Sequence, residues 1–156
     1  IRVYSCKKGD YGISANVKEL LLVEEKSGLY NKETYDKFRE SVRESKFKLQ
    51  SLLRQIKNEG KRIVAIGAPA KGSTLLNYCS IGPDMIDYVA ERSTFKIGRY
   101  TPGTHIPIVD EARIFEDQPD YGLLLSWNIA DIIIPKLKEK GFNGKFIIPV
   151  PTAHVV

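Results

Sequence analysis

From Arg62 onward the chain alternates short apolar runs with helical stretches, and this alternation restricts the possible folds more than any other feature. Strands are expected at 63–66, 86–90, 107–109, 121–126 and 146–150, with helices near 73–79, 110–116 and 129–140. Leu123-Leu124-Leu125 is apolar at consecutive positions, which suits a strand covered on both faces. Strands of that kind, joined by helices through right-handed crossovers, make a parallel sheet between two helical layers. The expected class is therefore α/β, with a Rossmann-like, doubly wound, mainly parallel sheet.

The first sixty residues read differently. Residues 1–5 alternate like a short strand without a nearby mate, which points to a partner in sequence preceding Ile1. Ser14 or Asn16 can cap a helix running to about Glu25, with Leu20, Leu21 and Val23 on its apolar side and Gly28 ending it. A longer helix is expected over 32–59, where Tyr35, Phe38, Val42, Leu49, Leu52, Leu53 and Ile56 recur at helical spacing and Gly60 stops the pattern. At ~1.5 Å per residue it extends about 40 Å. It either packs partly on something outside the fragment or lies across the sheet. We divide the chain into an N-terminal strand and helical arm (1–60) and a Rossmann-like domain (61–156), together one C-terminal domain of a longer protein.

Composition narrows the classes of function. A formal charge of +5 favours acidic ligands such as phosphates, but no block of lysine and arginine interleaved with aromatics argues for nucleic acid. Cys6 and Cys79 are isolated, which fits a reducing cytoplasm, and with two lone histidines they make no metal set. No apolar run approaches the roughly 20 residues that span a bilayer. Membrane, metal and nucleic-acid partners are not expected.

Ligands of doubly wound sheets lie beyond the carboxyl ends of the strands. The first segment to reach that edge is Gly67-Ala68-Pro69-Ala70-Lys71-Gly72-Ser73-Thr74, continuing to Asn77. A strand, a glycine-bounded turn with one lysine, and a helix start form a corner suited to an anion such as phosphate. Gly67 and Gly72 would admit close backbone approach, and Ser73 or Thr74 can cap the helix. The spacing matches neither GxGxxG nor GxxxxGK[ST]. Glu91, past the second strand, can hold a ribose diol or simply face solvent. The long 93–105 loop offers Lys96, Arg99, Tyr100, Thr104 and His105, suited to a phosphorylated sugar. After the fourth strand come Trp127, able to stack on a base or plug the sheet edge, and Asn128. No catalytic constellation is apparent.

Three blocks carry a family resemblance: Ala68-Pro69-Ala70-Lys71-Gly72-Ser73-Thr74-Leu75-Leu76-Asn77-Tyr78-Cys79, Gly98-Arg99-Tyr100-Thr101-Pro102-Gly103-Thr104-His105-Ile106-Pro107-Ile108, and Leu123-Leu124-Leu125-Ser126-Trp127-Asn128-Ile129-Ala130-Asp131. Together they resemble the C-terminal domain of bacterial sugar-nucleotide C-methyltransferases. Glu91, Ser126 and Ser80 depart from the aspartate, alanine and glycine common there. The resemblance implies a substrate-binding domain that helps hold a nucleoside-diphosphate deoxysugar. It also implies that S-adenosylmethionine, and zinc, are bound by upstream domains rather than by this fragment, which alone should transfer no methyl group. Two alternatives stay open: an NAD- or coenzyme A-binding module, and a non-catalytic interaction domain working through its long helix.

Overall fold

A computed structural model describes residues 2–156. The chain divides into two compact units, one ending at Ser41 and the other Val42–Val156. That division falls inside a helix, Lys32–Asn58.

In the first unit, residues 2–5 form no strand; Ile1, the other residue of the expected strand, lies outside the described residues. Helix α1 (Ala15–Lys26) begins after Ser14, whose side chain makes no capping bond. Gly28, in the left-handed region at φ +77°, follows its end. Leu20, Leu21 and Val23, on the apolar side of this helix, are 42%, 52% and 61% exposed. The second helix, α2 (Lys32–Asn58), starts in this unit and finishes in the next.

In the second unit the elements run β1 (Ile63–Ile66), α3 (Ala70–Tyr78), β2 (Val89–Glu91), β3 (Ile108–Asp110), α4 (Arg113–Asp117), β4 (Tyr121–Leu124), α5 (Ala130–Glu139), β5 (Lys145–Ile148) and β6 (His154–Val155). A 3-10 turn, Trp127–Ile129, precedes α5. The sheet order is β3-β2-β1-β4-β5-β6. The first five strands of that order pair in parallel, and β6 runs antiparallel to β5.

Alternation within each strand sorts the core into two layers. Ile63 and Ala65 of β1 join Leu123 of β4 and Ile147 of β5 on one face, where Leu49, Leu53 and Ile56 of α2 and Leu76 of α3 cover them. Val64, Ile66, Leu124 and Phe146 point the other way, under Ile114 of α4 and Leu137 of α5. Register keeps the layers in step: Ala65 lies opposite both Val89 and Leu123. Each such aliphatic side chain removed from water contributes about 1.5–3 kcal/mol. The doubly wound expectation therefore holds, and burial on both faces explains the unbroken apolar strands.

Helix α3 starts at Ala70, three residues earlier than expected. Pro69, at φ −75° and ψ 157°, occupies the N-cap position. Its carbonyl accepts from the N–H groups of Gly72 and Ser73 at 2.9 and 3.3 Å. The fixed proline φ pre-shapes this helix start, so Ser73 and Thr74 lie inside the helix and neither caps it. Strand β6 lies outside the strands expected from the sequence. After Pro149 and Pro151 the chain returns alongside β5, and Phe146 and Val156 exchange backbone bonds of 2.8 and 2.9 Å. Two residues are too few to display a period.

Charged pairs gather at the opposite, amino edge of the sheet. Arg62, just before β1, pairs through its guanidinium with Asp87 at 3.0 Å and Asp117 at 3.5 Å. Its N–H donates to Asp120 at 2.9 Å. That bond, with Lys61 beside it, holds the Asp120 carboxyl below the usual carboxylate range.

Candidate functional site

The connections leaving β1 and β4 diverge: β1 leads through α3 to β2, whereas β4 leads through α5 to β5 on the other side. Their carboxyl ends flank the switch point at which such sheets hold ligands.

Gly67 turns the chain off β1 at φ +80°, and an added Cβ there would lie 3.0 Å from Ser126 Oγ. The positive φ favours glycine here, and any Cβ would also press on the Ser126 hydroxyl. The next residue is tied down by Glu91 at the end of β2. Glu91 Oε2 accepts from the Ala68 N–H at 2.8 Å, while Oε1 accepts from the N–H groups of Arg92 and Ser93 at 2.8 and 3.0 Å. Lys96 Nζ donates to the Ala68 carbonyl at 2.9 Å and stands 3.4 Å from Glu91 Oε2. Burial raises the Glu91 carboxyl, but the three N–H donors and Lys96 outweigh it and hold it below its ordinary value. Both carboxylate oxygens are thus engaged within the chain. Glu91 thereby braces the β1 and β2 turns against each other.

Lys71 lies in the first turn of α3. Its ammonium donates to Asn128 Oδ1 and sits over the Trp127 ring, 4.5 Å from the centroid. Residues following β1 and β4 therefore clasp across the switch point, as a cation on an aromatic face and an amide. Neither partner neutralises the lysine charge. The first helical turn also leaves the Ala70 and Lys71 N–H groups without an intrahelical acceptor.

Gly72 has another task. A Cβ there would approach Leu125 Cβ to 2.8 Å, so this glycine lets α3 pack on the sheet. The structure places it in packing rather than in ligand approach. Thr74 Oγ1 turns back to the Ala70 carbonyl at 3.4 Å. Asn77 donates through Nδ2 to the carbonyls of Ser73 and Pro102 at 2.8 and 2.9 Å, which fastens the loop after β2 to the end of α3. In that loop the Thr104 hydroxyl bonds the buried Thr101 hydroxyl at 2.7 Å. Arg99, Tyr100 and His105 are exposed. Asn77 lies about 10 Å along the helix from Ala70 by helical rise, and none of Arg99, Tyr100, Thr104 and His105 lines the crevice cavity.

That cavity, about 600 Å³, opens between the Gly67-Ala68-Pro69 corner, the turn after β2, and α5. Its charged lining comprises Arg92, Lys96, Lys136 and Lys140 with Glu91, Glu111 and Glu139. Lys140 pairs with Glu111 at 2.6 Å. The α5 contribution was missed in the sequence, although Ile129, Ile133, Lys136, Leu137 and Lys140 recur at the spacing of one helical face. Among the described residues no group of three His, Cys, Asp or Glu can hold a metal ion, and no helix is long and apolar enough to cross a membrane.

A parallel sheet covered by helices on both faces, with a crevice at its switch point, defines a Rossmann-like α/β domain. Residues 1–151 match the family described as the C-methyltransferase C-terminal domain, and the chain belongs to that family. It is 34% identical over 148 residues to the C-methyltransferase NovU of Streptomyces niveus, a match covering 94% of this chain and 35% of that protein. The chain thus spans about a third of this relative's length.

Proposed function

We propose that this domain binds the substrate of an S-adenosylmethionine-dependent C-methyltransferase, and that the substrate is a nucleotide-activated deoxysugar. The observation that carries the reading is the Lys71 ammonium, held at the switch point by Asn128 and Trp127 without a neutralising carboxylate. A fixed cation beside unpaired helix N–H groups suits a phosphate, because its electrostatic attraction needs no reorganisation on binding. Trp127 offers an aromatic face and Asn128 an amide for the sugar side.

S-adenosylmethionine supplies an electrophilic methyl group, but the residues present do not fit it. Its ribose diol needs a free acceptor at the end of β2, and both oxygens of Glu91 are engaged within the chain. This supports placing the methyl donor, with the proton-abstracting groups and any zinc, in other domains of a longer polypeptide. The same saturation of Glu91 counts against an NAD-binding module. Exposed apolar residues of α1 fit contact with such domains, and a cytoplasmic setting suits the substrate.

The test is methyl transfer by the full-length polypeptide carrying this domain, with a nucleoside-diphosphate 4-keto-deoxysugar as acceptor. Lys71→Ala should lower kcat/KM about 10-fold or more, mainly through KM, as expected when a charge-assisted phosphate contact is lost. Unchanged kinetics would remove Lys71 from the site.

A further inference from the structure

The two units treat their apolar side chains in opposite ways. In Val42–Val156 these residues fill the two layers that cover the sheet. Among the described residues of the first unit none is buried, and the half-buried ones are Glu24, Gly28, Thr34 and Asp36. Its apolar side chains face outward instead. Leu20, Leu21, Leu22 and Val23 of α1 are consecutive, and all four are exposed. At about 100° per residue, four successive positions reach nearly around the helix axis. Ile13 and Val17, also exposed, extend the band toward the start of the helix. A helix that is apolar all round belongs inside protein. Twelve residues are also too few to hold a stable helix in water unaided.

We infer that α1 is a docking helix, seated in an apolar groove of the methyl-donor domain of the same polypeptide; the inference rests on the division of labour proposed above. The all-round apolar band chooses between occupants. A second copy of α1 laid alongside would cover one face of the helix and leave the rest in water. A groove encloses most of the circumference, which is how a folded partner holds a single helix. An attached domain also meets α1 at an effective concentration of about millimolar, far above that of a free partner. About two-thirds of the length of NovU lies outside its match to this chain, room enough for such a domain. Docking then does more than hide apolar surface. It fixes the domain that carries the methyl group against the domain that holds the acceptor. Transfer between them is sensitive to that placement, since a shift of about 1 Å can cost about 100-fold in rate.

The experiment is hydrogen exchange, read by mass spectrometry, on the full-length polypeptide and on the 156-residue chain. Amides of α1 should exchange at least about 10-fold more slowly in the full-length protein, because an undocked helix of this length opens readily. Amides of β1 should match in the two, since the second unit has a core of its own. In the full-length protein Leu21→Asp should abolish the α1 protection and leave β1 unchanged, whereas Leu21→Met, still apolar, should preserve it. Leu21→Asp should also lower kcat at least about 10-fold with KM for the nucleotide sugar within about 2-fold, the pattern of lost positioning. A photocrosslinker in place of Leu22 should attach to the domain that binds S-adenosylmethionine. Equal α1 protection in both proteins would overturn the inference, as would protection that survives Leu21→Asp, or an unchanged kcat once it is lost. Crosslinking to any other domain would overturn it too. So would α1 protection in the 156-residue chain that rises with concentration alongside a dimer in sedimentation, which would make the occupant a second copy. Exchange is read without substrate, so the two readings fail separately. Protected α1 with no methyl transfer to any nucleotide sugar would keep this surface and sink the substrate reading. Unprotected α1 with normal methyl transfer would do the reverse.

Discussion

Replacing Glu91 by glutamine keeps an acceptor but removes the negative charge on which the Ala68, Arg92 and Ser93 N–H groups and Lys96 converge. An amide has one oxygen, so at least one N–H loses its partner, and Glu91→Gln should lower stability by about 1–3 kcal/mol at pH 7. The pH dependence has a definite sign. The folded carboxyl lies below its ordinary value, so its stabilising effect is complete above the unfolded glutamate pKa of about 4.3 and fades as pH falls through the lower native value. Urea midpoints taken from pH 7 down to pH 3 should therefore fall less steeply in Glu91→Gln than in the parent; parallel curves would contradict the bracing role. Gly72 supplies a second test. Alanine is the better helix former by about 1 kcal/mol, yet its Cβ would meet Leu125 Cβ at 2.8 Å. Leu125 Cβ is the root of its side chain and cannot swing away as a flexible tip would, so Gly72→Ala should lower the thermal midpoint, at a cost of about 1–3 kcal/mol from overpacking. These two residues mark what the sequence concealed. Lys71, Trp127 and Asn128 could be placed at the carboxyl edge because strand ends are legible along one dimension. Whether Glu91 was free, and what pressed on Gly72, depended on neighbours from other strands.

At the scale of elements, the apolar stripe of α2 was visible from Tyr35 to Ile56, but periodicity does not say which part of a stripe finds a partner. Leu49 and Leu53 are fully buried against the sheet, while Phe38 is 66% exposed. Leu53→Ala should therefore cost about 2–5 kcal/mol in chemical denaturation. Phe38→Ala in the same 156-residue chain should stay within about 0.5 kcal/mol, as for substitutions outside packed sites. Comparable losses would mean that the first half of α2 is packed in solution. Helix α5 gives the complementary lesson. Its existence and length were readable, but Lys136 and Lys140 look like ordinary solvated lysines until β4 places their face over the crevice. Strand β6 was hidden for a simpler reason: two prolines precede it, and the strand is two residues long.

For the whole molecule, the order β3-β2-β1-β4-β5-β6 concentrates the ligand-facing groups at one line, the boundary between β1 and β4. The α/β class was legible because unbroken apolar strands admit few arrangements; the location of this boundary was not, since it depends on which side of β1 the later strands add. The chain's single tryptophan, Trp127, stands on that boundary beneath Lys71. An indole facing a fixed ammonium senses any change in the position or neutralisation of that charge. Phosphate arriving at the switch point should therefore shift Trp127 emission, and the shift should saturate with the same affinity as binding followed by calorimetry of the nucleoside-diphosphate sugar. In the full-length polypeptide, Trp127→Phe isolates the signal by difference. Raising the salt should weaken the response in step with binding, because the Debye length falls from about 10 Å at 0.1 M to about 3 Å at 1 M. Lys71→Ala should remove most of the shift. Binding seen by heat but silent at Trp127 in the parent protein would place the ligand wholly on the α5 side, and Lys71 would then serve only to clasp α3 to the turn after β4.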